Sequence, residues 1–194
     1  MIISKTNSQK QKYRSVLELS MNSAEECRIM ADTVIREFDD LIAGRSAHCK
    51  IQDFMITLVE CSTHIITTVE KALDDSRIIR QKLLSIHTWL SQRNDGLEQN
   101  TRPQSGDHVI KTLEAANSRA IEWEEHLEDI TRRWGEAKMR MEAVFGYIKA
   151  VQDMPNSKMR LDRIRKHYKS IRGDFCDYKA DMEELQLKSK IVAI

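Results

Sequence analysis

The sequence predicts an all-α fold: an elongated bundle of about four long helices with coiled-coil (heptad) packing. Three observations carry that reading. An apolar spacing of alternating threes and fours runs unbroken through Val109, Leu113, Ala116, Ala120, Trp123, Leu127, Ile130, Trp134, Ala137, Met141, Val144, Ile148 and Val151. It returns in Leu161, Ile164, Tyr168, Ile171, Phe175, Tyr178, Met182 and Leu185. Such steps keep the apolar residues of a helix on one narrow stripe, which a neighbouring helix can cover. Finally, the 194 residues hold only six Gly and two Pro, leaving little room for a turn-rich β fold.

Each element follows from its local pattern. Residues 1–9 carry no stripe and are expected to be a flexible N-terminus. A first helix over about 10–42 places Leu17, Ser20, Ala24, Cys27, Ala31, Val34, Phe38 and Leu41 on one face. Its middle is small and weakly apolar, which suits packing more than driving assembly. Gly44, Arg45 and Ser46 interrupt the pattern.

A second helix over about 50–93 opens with Ile51, Phe54, Leu58, Cys61 and Ile65. It then continues in a different phase as Val69, Ala72, Ser76, Ile79, Leu83, Ile86 and Leu90. The phase change reads as a stutter, and so as a kink or a change of neighbour near residues 65–69. Residues 10–93 thus form a two-helix segment.

Residues 94–107, with Gly and Pro at both ends, read as a loop, and Ser105 or Asp107 as a helix cap. A helical hairpin fills 108–188, folded at Gln152–Pro155, with Asn156 or Ser157 capping its second arm. Helices this long reach about 60 Å. Residues 189–194 form a C-terminal tail, and the chain is expected to be one structural domain.

The chain is 31% charged with a net charge of +1, so no global imbalance points to a partner. Locally, residues 138–172 hold ten Lys or Arg against three acids, a net of +7. A hairpin bend would gather these into a basic tip. Lys158, Arg160, Arg163, Arg165, Lys166, Lys169 and Arg172 are the candidate anion-surface residues, with lipid headgroups favoured over nucleic acid. Neither a finger spacing nor a basic block leading into a leucine zipper is present, so nucleic acid is not an expected partner.

The remaining chemistry is sparse. Glu60 and His64, and Glu122 and His126, sit four apart on helix faces, but a di-iron bundle needs Glu-x-x-His with further inward carboxylates. His48, His87, His108 and His167 form no set with them. No metal, cofactor or small-molecule substrate is expected. No phosphate loop, nucleophile elbow or zinc motif occurs, and the expected class is not an enzyme. Trp123 and Trp134 are assigned to packing, and Cys27 and Cys61 to small thiols on apolar stripes. Val192–Ile194 would suit a sheet-edge ligand or the cut end of a longer chain.

The opening residues lack an apolar signal core, no run reaches the roughly 20 apolar residues of a membrane span, and the four cysteines make no compact framework. A reducing cytoplasmic setting is expected, and a nuclear one is compatible.

The stretch Leu127-Glu128-Asp129-Ile130-Thr131-Arg132-Arg133-Trp134 resembles the Trp-bearing last helix of a spectrin-type repeat, over that one helix only. The family's second Trp-bearing helix lies two helices earlier, whereas Trp89 here falls in the helix immediately before. Three long helices with a basic hairpin tip also resemble BAR-type membrane-curving domains in shape. A SNARE pattern is absent, because the last helix lacks a central Gln or Arg layer.

The expected function is a non-enzymatic structural or adaptor protein that mediates protein–protein assembly, with other chains or with itself, through its helices. The assembly layers are Trp123, Leu127, Ile130, Trp134, Met141 and Val144 facing Leu161, Ile164, Ile171, Phe175 and Tyr178. The alternative is a peripheral membrane- or anion-surface-binding module working through the basic tip.

Overall fold

The computed structural model describes residues 2–43, 45, 48–95, 104–151 and 157–191. They form four α-helices: α1 Ile2–Ile42, α2 His48–Asp95, α3 Gln104–Val151 and α4 Ser157–Ile191. Among the described residues there is no strand. α1 begins ahead of the start expected near residue 10, since nothing between Ser4 and Lys10 is a Gly or Pro that would stop a helix. α3 likewise begins at Gln104, so the expected caps Ser105 and Asp107 fall inside its first turn. The tail expected from residue 189 is helical as far as Ile191. Residues 96–103, Pro155, Asn156 and Val192–Ile194 lie outside the described residues.

Arg45 closes the C-terminal end of α1. Its backbone N–H donates to the Asp40 carbonyl at 2.7 Å, and the Ala43 N–H donates to the Asp39 carbonyl at 3.0 Å. These bonds satisfy carbonyls that the last turn would otherwise leave unpaired. The Arg45 guanidinium also binds the Asp40 carboxylate at 2.8 Å.

α2 contains a β-branched, hydroxyl-rich run from Ser62 to Val69 that is a poor helix former by composition. Its hydroxyls bond back along the helix: Ser62 to Leu58 O, Thr63 to Val59 O, Thr67 to Thr63 O and Thr68 to His64 O, all at 2.8–2.9 Å. Polar side chains that could compete with the helix are thereby absorbed into it.

Contacts divide the chain into two compact units. The larger comprises residues 15–68 and 130–194, and the smaller residues 1–14 and 69–129. In the larger, parts of α1, α2 and α3 pack with α4. The α1 stripe is buried from Leu17 to Phe38 at every position the spacing assigned, and the α4 stripe from Leu161 to Met182. The small middle of the α1 stripe, Ser20, Ala24, Cys27 and Ala31, is wholly buried, so small side chains here go with close helix approach.

The α2 stripe corrects the sequence reading. Phe54 and Cys61 are half-buried, and their neighbours Met55 and Ser62 are buried instead. Buried positions then run 51, 55, 58, 62, 65, 69, 72 and 76, in alternating steps of four and three with no stutter. The false phase came from passing over a serine as a core residue. Ser62 sits there at little cost because the Leu58 carbonyl accepts its hydroxyl proton. Residues 65–69 nonetheless mark a change of neighbours, since α2 belongs to the larger unit through Thr68 and to the smaller from Val69.

The smaller unit is built from the first turns of α1, the second half of α2 and the first half of α3. Tyr13, Val69, Ala72, Leu73, Ser76, Leu83, Leu113, Ala120 and Leu127 are buried. Tyr13 stacks on Trp123 with ring centroids 5.5 Å apart, and its hydroxyl lies 2.7 Å from His126 Nδ1. Glu124 is buried, and Arg80 Nε donates to both its carboxylate oxygens at 2.9 Å. Val109, the first residue of the predicted α3 seam, is 45% exposed.

Candidate functional site: helix faces and the basic segment

Of the expected assembly layers, Leu127 is buried in the smaller unit. Ile130, Trp134, Met141, Val144, Leu161, Ile164, Ile171, Phe175 and Tyr178 are buried in the larger. Trp123 is half-buried, and the helix there turns Glu124 inward instead. The residues of the larger unit are therefore covered within the chain, not held open for another.

Trp134 organises that core. Its indole meets the Phe175 ring at 5.5 Å and the edge of Tyr178 at 5.7 Å. Its Nε1–H donates to Ser20 Oγ at 3.2 Å, and the same hydroxyl hydrogen-bonds to the Tyr178 hydroxyl. One residue from each of α3, α1 and α4 is joined in a buried polar cluster, and directional bonds in a low dielectric fix the register of the three helices. Ser20 lay on the predicted stripe, but nothing in the spacing announced its partners.

The basic segment has a different surrounding from the one the sequence suggested. Lys158 has a side chain outside the described residues. Arg165 binds Asp39 at 2.7 Å, and Arg172 binds Asp32 at 2.5 Å. Lys179 continues the row by binding Glu25 at 3.2 Å. Acids at 25, 32 and 39 on α1 thus meet bases at 179, 172 and 165 on α4, both sets seven residues apart. This is the spacing at which side chains flanking an antiparallel helix seam face each other.

A second row lies between α3 and α4, where Arg133 and Arg140 bind Asp181 and Asp174, again seven apart, at 2.5 Å. The Arg133 guanidinium also lies 6.0 Å from the Tyr178 ring centroid. The signal in the sequence was present: carboxylates on α1 repeat every seven residues, and so do the α4 cations. The two sets lie more than 120 residues apart, and only the fold aligns them.

Lys166 and Arg165 also bind Asp162 on their own helix at 3.2 and 3.5 Å. Both hold its carboxyl below the usual carboxylate range, Lys166 most. Glu25 is pulled from about 4.5 to about 2, first by its hydrogen bond with Arg28 and then by Lys179. Arg160 and Arg163 are exposed, as is Lys169. Arg163 and Lys169 have no ion pair among the described residues. The predicted patch is thereby reduced: its inner members are neutralised by α1, and its outer members face solvent.

The seam of the smaller unit is less fully covered. Ile79, Ile86 and Leu90 on α2 and Ile110 and Ala116 on α3 occupy seam positions or neighbour them, yet stay half-buried. Ile78, Leu84, Trp89, Val109 and Ile121 are 38–55% exposed. Ile78 and Trp89 are eleven residues apart, three helical turns, and so share one stripe of α2.

A groove of about 270 Å³ between α3 and α4 is walled by Arg133, Trp134, Arg140, Asp174, Phe175 and Tyr178. Arg140 pairs with Asp174 across it, and Arg133 with Asp181. Among the described residues, no three His, Cys, Asp or Glu side chains are placed to hold a metal ion, and no helix is long and apolar enough to cross a membrane. No family model, curated protein or solved structure matches the chain.

Proposed function

We propose that this is a non-enzymatic structural protein that assembles through its helices, with a second copy of itself as the partner. The observation that carries the reading is the contrast between the two units. In the larger unit every seam position of α1, α3 and α4 whose side chain is described is buried, Leu185 apart, whereas in the smaller Ile79, Ile86, Leu90 and Ala116 stay half-covered. Large apolar side chains meet water in both units, and in the smaller Ile78 and Trp89 adjoin that half-covered seam of α2. Apolar area of that kind is stabilised when another helix removes it from solvent.

A second copy suits this face electrostatically. Residues 69–95 of α2 hold five Lys or Arg and four Asp or Glu, so two copies meet without strong like-charge repulsion. Coiled-coil packing is part of the proposal, supported by the four–three burial pattern and the seven-residue charge rows. Ile78→Glu with Trp89→Glu tests it. The double variant is expected to be monomeric by light scattering with its helix content retained; an unchanged oligomer would refute assembly through this face.

A second reading, binding of an anionic lipid surface, is favoured by Arg163 and Lys169, exposed and without ion pairs among the described residues. On this reading, Arg163→Glu with Lys169→Glu lowers sedimentation with phosphatidylserine vesicles at low salt several-fold. Equal binding by variant and parent removes the reading.

A further inference from the structure

Cys27 on α1 and Cys61 on α2 place their sulfurs 3.7 Å apart inside the larger unit. Cys27 is fully buried, while Cys61 is half-buried. The two thiols are therefore unequal: a small oxidant reaches Cys61 first, and the Cys27 thiol is sealed behind it. We infer that Cys27 and Cys61 form an oxidative modification site at which hydrogen peroxide closes a disulfide between α1 and α2.

The chemistry balances in two steps. The Cys61 thiolate attacks one peroxide oxygen, breaking the O–O bond, and hydroxide leaves to be protonated to water. Cys61 is then a sulfenic acid. The Cys27 sulfur attacks the Cys61 sulfur, its proton goes to the leaving hydroxide, and a second water departs. Two thiols have lost two electrons and two protons, and one peroxide has become two waters.

Local chemistry assigns the same roles. Bonds to Cys61 from the Cys27 thiol, and secondarily from Ser23, favour the Cys61 thiolate and bring its pKa down to about 7. Donation to Cys61 and then burial push the Cys27 thiol up. Glu26 opposes ionisation of both. The first step needs the Cys61 thiolate, which Cys27 stabilises by donating to it; once Cys61 is a sulfenic acid that bond is gone, and Cys27 gives up its proton as it attacks. The sulfurs must close from 3.7 Å to about 2.05 Å, a distance side-chain rotation at two cysteines can supply. Cys176, half-buried on α4, serves as an internal control.

The test uses the full chain, treated with hydrogen peroxide and then alkylated, digested with trypsin and analysed by mass spectrometry without reduction. The expected product links the tryptic peptides 15–28 and 51–71, two hydrogens lighter than their sum, while Cys176 remains alkylated. The Cys27→Ala variant should instead accumulate a dimedone adduct at Cys61. If the parent chain keeps Cys27 and Cys61 as alkylatable thiols while Cys176 oxidises, the inference is overturned. Disulfides formed chiefly between chains overturn it equally, whether or not the variant folds.

Discussion

Trp134 and Ser76 mark the two ways in which single residues decide this core. The Trp134 ring fills a layer between Phe175 and Tyr178, and its N–H has a buried acceptor in Ser20. Trp134→Ala removes ring volume and leaves the Ser20–Tyr178 pair beside a void, so unfolding in urea should show a loss of roughly 3–5 kcal/mol. A shift of only a few tenths would place the indole outside the core. Ser76 is the reverse case. It is fully buried, and its hydroxyl has no hydrogen-bond partner. Ser76→Ala removes an unsatisfied polar group and adds helix propensity, so the same assay should show a gain of about 1 kcal/mol. The spacing made both positions legible as stripe residues. It did not reveal the polar connections, because a hydrogen bond between Ser20 and Tyr178 depends on how three helices meet.

Elements are held in register by charge as much as by shape. The row Glu25–Lys179, Asp32–Arg172 and Asp39–Arg165 runs along α1 and α4, and Arg133–Asp181 with Arg140–Asp174 along α3 and α4. These side chains are about a quarter to a half exposed, so each pair contributes roughly 0–1 kcal/mol, and their value lies in opposing slipped or parallel alternatives. Arg172→Asp alone, facing Asp32, should lower the melting temperature by a few degrees, and adding Asp32→Arg should restore most of it. Failure of the swap to rescue would mean that the pair does not face across α1 and α4 in solution. The presence of four long helices, the α1 and α4 stripes and the α3 stripe from Leu127 to Ile148 could be read from apolar spacing, whereas α1 and α3 start earlier than expected and α3 turns Glu124 inward in place of Trp123. On α2 the reading failed where Met55 and Ser62 compete with Phe54 and Cys61, because hydrophobicity alone ranks the wrong member of each adjacent pair. The basic segment misled for a related reason: a net charge counted along 138–172 omits acids on α1 that lie far away in sequence.

At the scale of the whole molecule, the two units differ in how far their seams are covered. Seam residues other than Leu185 are enclosed in the larger, whereas Ile79, Ile86, Leu90 and Ala116 are half-open in the smaller. On the proposed reading, self-assembly through that face covers the half-open seam, and lipid binding through Arg163 and Lys169 would leave it open. Light scattering coupled to size-exclusion chromatography, run over a hundredfold range of protein concentration, tests the claim directly. Self-assembly predicts a mass that rises to at least twice the 22.6 kDa of the chain. A constant mass of 22.6 kDa at every concentration would contradict it.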